Sequence, residues 1–90
     1  MIAEQEFTIS NKLGLHARPA ALFVKISNSF ESEIWVEKDD EEVNGKSIMG
    51  LMMLAAGHGS IIKVRAEGSD AEAAIACLSE LIESRFSEEH

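Results

Sequence analysis

Residues 60–86 read SIIKVRAEGSDAEAAIACLSELIESRF, and two periodicities meet inside them. Between Ser60 and Gly68 the side chains alternate, with Ile62, Val64 and Ala66 on one side and Ile61, Lys63 and Arg65 on the other. A two-residue period marks a strand with one face in water. From Ala71 the period lengthens, and Ala71, Ala74, Ile75, Leu78, Leu81, Ile82 and Phe86 form one stripe of a helix. Ser69 or Asp70 is the expected cap, with acids in the first turn. A strand apolar on one side and followed by such a helix places that helix on its apolar face.

The same alternation recurs upstream. Ile2–Ile9 reads as a first strand, with Phe7 and Ile9 set among polar neighbours. SEIWVEK (32–38) puts Ile34 and Val36 on one face and Glu33, Trp35 and Glu37 on the other, Asp39–Asp40 is a polar turn, and EEVNG (41–45) is a short return strand. If neighbouring strands carry them, Lys63 and Arg65 can pair with Glu33 and Glu37 on the wet face. ARPAALFVKISNSF (17–30) is a helix with Leu22, Phe23, Ile26 and Phe30 in its stripe, and SIMGLMMLAAG (47–57) is a short one stopped by Gly57. The order is β-α-β-β-α-β-α. The expected class is α+β: one domain over residues 1–90, a two-layer sandwich with a four-stranded antiparallel sheet and three helices on one face.

Composition narrows the function. A net charge of -8 excludes nucleic acid as the expected partner, because phosphate neutralisation supplies most of that affinity. The charges are unevenly placed: all 16 acids lie outside residues 7–30 and 43–66, and each of those stretches carries three Lys or Arg. A locally positive face on an acidic molecule suits an anion or an acidic partner. The single cysteine, Cys77, leaves no internal disulfide and is read as a packing residue beside the last helix's core stripe. There is no apolar run of about 20 residues to span a bilayer and no basic start followed by an apolar core. The expectation is a cytoplasmic monomer without membrane insertion.

The chemistry gathers at two helix starts. In GLHARPA (14–20), Pro19 is tolerated only in a first helical turn, so the helix begins near Ala17 or Arg18 and His16 becomes its N-cap. Backbone N–H groups of that turn then face whatever His16 carries, which is anion-binding geometry. Gly14 permits the tight path that brings the ring over the helix end, and Arg18 adds a forked, permanently charged donor for phosphate oxygens. The set suits a neutral imidazole acting as a nucleophile toward phosphorus; the bland alternative is an ordinary polar junction. His58, in the turn GHG, and His90, at the terminus, are read as solvated. No spacing of His with Cys or Glu points to a metal, and no cofactor is expected.

At the second start, Ser47 is a natural N-cap. A phosphate on its hydroxyl would place about -1.5 to -2 charge at a helix N-terminus, which tolerates it. The helix beyond is apolar almost all round, so Leu51 and Leu54 are assigned to the core, while Ile48, Met49 and Met52 stay partly exposed as an adaptable docking surface.

GLHARPA together with KSIMGLMMLAAGHGS (46–60) resembles the HPr family, the small histidine phosphocarriers of the phosphoenolpyruvate-dependent sugar phosphotransferase system. The likeness runs over essentially the whole chain and implies that family's open-faced sandwich. It implies that His16 accepts phosphate from enzyme I through Nδ1 and passes it to a sugar-specific enzyme IIA, with Arg18 stabilising the phosphohistidine. It implies that Ser47 is the site modified by an ATP-dependent HPr kinase, which lowers transfer at the histidine. Ile48, Met49 and Met52 match the family's apolar docking patch, with Lys25 and Lys46 near its basic rim and Ala17 and Ala20 as further partner-facing positions. The acidic hairpin EKDDEE (37–42) belongs to no family motif. Two other readings stand beside the carrier: a nitrogen-branch or Ser47-regulated interaction module, and, ranked last for want of an enclosed site, a hydrolase working through phosphohistidine.

Overall fold

The computed structural model describes residues 1–87; His90 lies outside them. Its elements are β1 (Ile2–Thr8), α1 (Ala17–Ser27), β2 (Glu33–Lys38), β3 (Glu41–Asn44), α2 (Ile48–Met53), β4 (Ile61–Glu67) and α3 (Ala71–Glu83), followed by a short turn at Arg85–Ser87. The four strands form one antiparallel sheet in the order β1-β4-β2-β3, and the three helices cover one face of it. The expected α+β sandwich is the fold observed.

Side-chain alternation sets the two faces. Phe7, Ile34, Val36, Ile62, Val64 and Ala66 point into the core, where they meet Phe23, Leu51, Ala74, Leu78 and Ile82 from the helices. Asp39 and Asp40 both take positive φ (51° and 70°), the two-residue turn whose twist matches an antiparallel ribbon. On the wet face the register sets Lys63 opposite Glu37 but Arg65 opposite Trp35. Among the described residues Arg65 therefore pairs with Glu42, at 2.6 Å, and with Glu67 on its own strand, at 2.7 Å, and not with Glu33 or Glu37. Those two carboxylates, Glu42 first, push the guanidinium above its ordinary value.

Four local expectations change. α2 ends at Met53, and the left-handed residue beyond it is Ala55 (φ +53°), not Gly57. The reversal lets Leu54 and Ala56 both reach the core and turns the Ala56 carbonyl toward the Leu15 N–H at 2.9 Å. α1 stops at Ser27, leaving Phe30 half-buried in the turn that follows. Asp70 occupies the N-cap position of α3 without capping it; its carboxylate accepts from the backbone N–H groups of Glu31, at 2.9 Å, and Ser32, at 3.0 Å, and from the Ser32 hydroxyl. Cys77 is exposed, because it precedes Leu78 by one residue and so lies about 100° round the helix from it. Among the described residues no helix is long and apolar enough to cross a membrane.

Candidate functional site

The loop from Ile9 to His16 is built before any functional side chain enters. The Gly14 N–H donates to the Asn11 carbonyl at 3.2 Å, and the Asn11 side-chain amide donates back to the Gly14 carbonyl at 2.7 Å. Gly14 has φ +68°, and a Cβ there would lie 2.4 Å from the Ala56 carbonyl oxygen. Only glycine permits that turn and that approach. Leu15, buried beneath it, clamps the loop to the α2–β4 connection.

His16 emerges at the N-cap of α1 in an extended conformation (φ -78°, ψ -174°), and its carbonyl accepts the first helical bond, from Ala20 N–H at 3.0 Å. Its side chain makes no capping bond and is half-exposed. Within the first turn Pro19 has no N–H, so the amides of Ala17 and Arg18 are the ones left over at this helix end. No acid stands in that turn to occupy them. The result is an imidazole at a helix end whose Ala17 and Arg18 amides have no intrahelical partner, with the exposed Arg18 on the same turn.

A depression of about 260 Å³ opens beside His16, lined by Leu13, Leu15, Met52, Ala55, Ala56 and Gly57. It joins the start of α1 to the far end of α2, because His16 and Met52 both line it. Of its lining, Leu13 (68% exposed) and Met52 stand in water, and α2 exposes three more apolar side chains, Ile48, Met49 (74%) and Met53 (73%). Leu51 and Leu54 are buried, as the pattern of α2 required. Met53 and Leu13 were not singled out from the sequence. Met53 could have been, since a six-residue helix on a sheet cannot bury four consecutive apolar residues, and Leu13 is an apolar side chain outside any periodic element.

Ser47 caps α2, its hydroxyl accepting from Gly50 N–H at 3.0 Å. It sits at the opposite end of α2 from the depression, about 8 Å away along the axis. Lys46 is half-buried, and its ammonium donates to the Phe30 carbonyl at 3.0 Å, which anchors it against the end of α1. Ala17 and Lys25 are exposed on α1. Ala20 is not a partner-facing position: it is fully buried, turned into the core by the same helical phase that buries Phe23 and Val24. Neither Arg18 nor Lys25 lines the depression.

Known proteins resemble this chain along nearly its whole length. The family model described as the PTS HPr component phosphorylation site matches residues 3–84. The phosphocarrier protein HPr of Neisseria meningitidis serogroup A is 49% identical over 85 residues, covering 94% of this chain and 96% of that protein. The crystal structure of HPr-C-His from Thermoanaerobacter tengcongensis superposes with a TM-score of 0.95 at 56% identity, over 98% of this chain and 99% of the other. A crystal structure of an HPr dimer from the same organism is also similar (TM-score 0.78, 57% identity, 91% and 94% of the two chains). That dimer weighs against the expected monomer.

Proposed function

The chain belongs to the HPr family, carriers and not enzymes of the phosphotransferase system, and from that premise we propose that His16 takes a phosphoryl group from phospho-enzyme I and hands it to sugar-specific enzyme IIA domains. The Nδ1 lone pair attacks phosphorus as the donor's bond to it breaks; in the second transfer the acceptor attacks and His16 leaves. Little covalent chemistry falls to the carrier itself in such a transfer. Positioning and charge stabilisation are its share.

The observation that supports this reading is the placement of His16: at a helix opening whose Ala17 and Arg18 amides have no intrahelical partner, with Arg18 in the same turn and the exposed Leu13 and Met52 lining the depression beside it. The amides and the guanidinium stabilise the phosphohistidine. The Met49, Met52, Ile48 surface serves as docking face for enzyme I and enzyme IIA, with Ala17 and Lys25 on its α1 side and Lys46 fixed near its edge. Adaptable methionines suit a carrier that must fit two partners in turn and release both. Ser47 is the regulatory site for an HPr kinase: a dianion on a hydroxyl directly preceding Ile48 and Met49 charges the docking face without unfolding α2.

The decisive test mixes the protein with enzyme I and phosphoenolpyruvate. One acid-labile phosphate per chain is expected, and none in His16→Ala. Labelling that persists in the alanine variant removes His16 from the role.

A further inference from the structure

A second pocket, of about 370 Å³, is lined by Ser10, Lys12, His58 and Arg85, and among the described residues it shares none with the His16 depression. Three separate segments bring these side chains together. Ser10 and Lys12 come from the loop after β1, and His58 from the loop before β4. The two loops run side by side, with Ile9 N–H donating to the Ser60 carbonyl at 2.8 Å and Gly59 N–H to the Ile9 carbonyl at 2.8 Å. Arg85 arrives from beyond α3.

The chain end is shaped to deliver it. Arg85, Phe86 and Ser87 all take left-handed φ (57°, 56°, 60°), a run that costs non-glycine residues backbone energy. Full burial of the Phe86 ring holds the turn in place. Arg85 is thereby fixed at the pocket rather than left trailing from the end of α3.

Among the described residues the lining is two cations, one imidazole and one hydroxyl, with no carboxylate. On a molecule of net charge -8 that is a marked local inversion. Lys12 and His58 come from the two acid-free stretches of the sequence. Among the described residues no ion pair involves Lys12 or Arg85. A guanidinium fork, an ammonium and a hydroxyl form a donor set matched to phosphate oxygens. The volume is that of a small metabolite, too little for a folded partner.

We propose that Ser10, Lys12, His58 and Arg85 form a second anion site that binds a small phosphate monoester non-covalently, independent of the phosphoryl group carried at His16.

Titration of the ¹⁵N-labelled full chain with inorganic phosphate, and separately with a hexose bisphosphate, tests this, with sodium chloride at matched ionic strength as control. Saturable amide shifts at Ser10, Lys12, His58 and Arg85 are expected, with a stronger response to the bisphosphate. They should weaken about tenfold or more in Lys12→Ala and in Arg85→Ala, and persist in Arg18→Ala, which weakens the first site instead. Both lining substitutions are at exposed positions, and unchanged melting confirms the fold. Shifts confined to residues 16–20, shifts reproduced by sodium chloride, or equal affinity in the Lys12 and Arg85 variants would each overturn the proposal.

Discussion

Gly14 shows how much one residue settles. Its φ of +68° and its contact with the Ala56–Gly57 backbone fix where the loop turns, and so where His16 leaves it. Gly14→Ala should cost roughly 2–4 kcal/mol, from the left-handed backbone and the overlap with the Ala56 carbonyl together. Urea unfolding measures that loss, and a change under about 0.5 kcal/mol would show that the loop can relax around a methyl group. That a helix begins just after His16 was legible from its neighbours alone, because Pro19 dictates where a helix can begin. Ala20 was not: which side of α1 faces the sheet depends on how the helix docks.

α2 depends on its neighbours for its existence as a helix. Six residues make too short a helix to stand alone, so it persists through burial of Leu51 and Leu54 and through the Ser47 cap. Structure and charge can be separated at this one position. Ser47→Ala removes the cap and should lower stability by about 1 kcal/mol while leaving phosphoryl transfer unchanged. Ser47→Asp keeps a capping oxygen, and so most of the stability, but should slow transfer, because its charge lies within the roughly 8 Å Debye length of the docking surface. Urea midpoints and transfer rates with enzyme I, measured on both variants, decide it. If the two rates fall together, or neither falls, Ser47 acts through structure alone. The early end of α2 was hidden in the sequence, where Gly57 is the better stop signal. Ala55 takes the left-handed turn because Leu54 and Ala56 both have core positions to fill, and packing overrides propensity.

Across the whole molecule, Asp70 ties the start of α3 to the segment that enters β2, residues nearly forty apart in sequence. The Ser32 hydroxyl and then the Glu31 amide hold its carboxyl below the usual carboxylate range. Because the folded-state value is the lower one, the unfolded chain binds the proton first. The tie therefore contributes in full above the ordinary carboxylate value of about 3.9 and is lost as pH falls through the folded value. Asp70→Asn should be less stable at pH 7 and should lose less than the parent on acidification, so their urea midpoints converge toward low pH. Parallel curves would mean that the carboxylate contributes nothing through its charge. Side-chain periodicity and the backbone limits of proline and glycine act over a few residues, and so the order of residues already set the element order, the wet and dry faces of the sheet, the helix end that presents His16 and the buried pair Leu51–Leu54. Tertiary structure alone decided the partners of Arg65, the task of Asp70, the burial of Ala20, the depression shared by His16 and Met52, and the meeting of Lys12, His58 and Arg85. Those depend on strand register and on how distant segments dock, and no short stretch of chain encodes either.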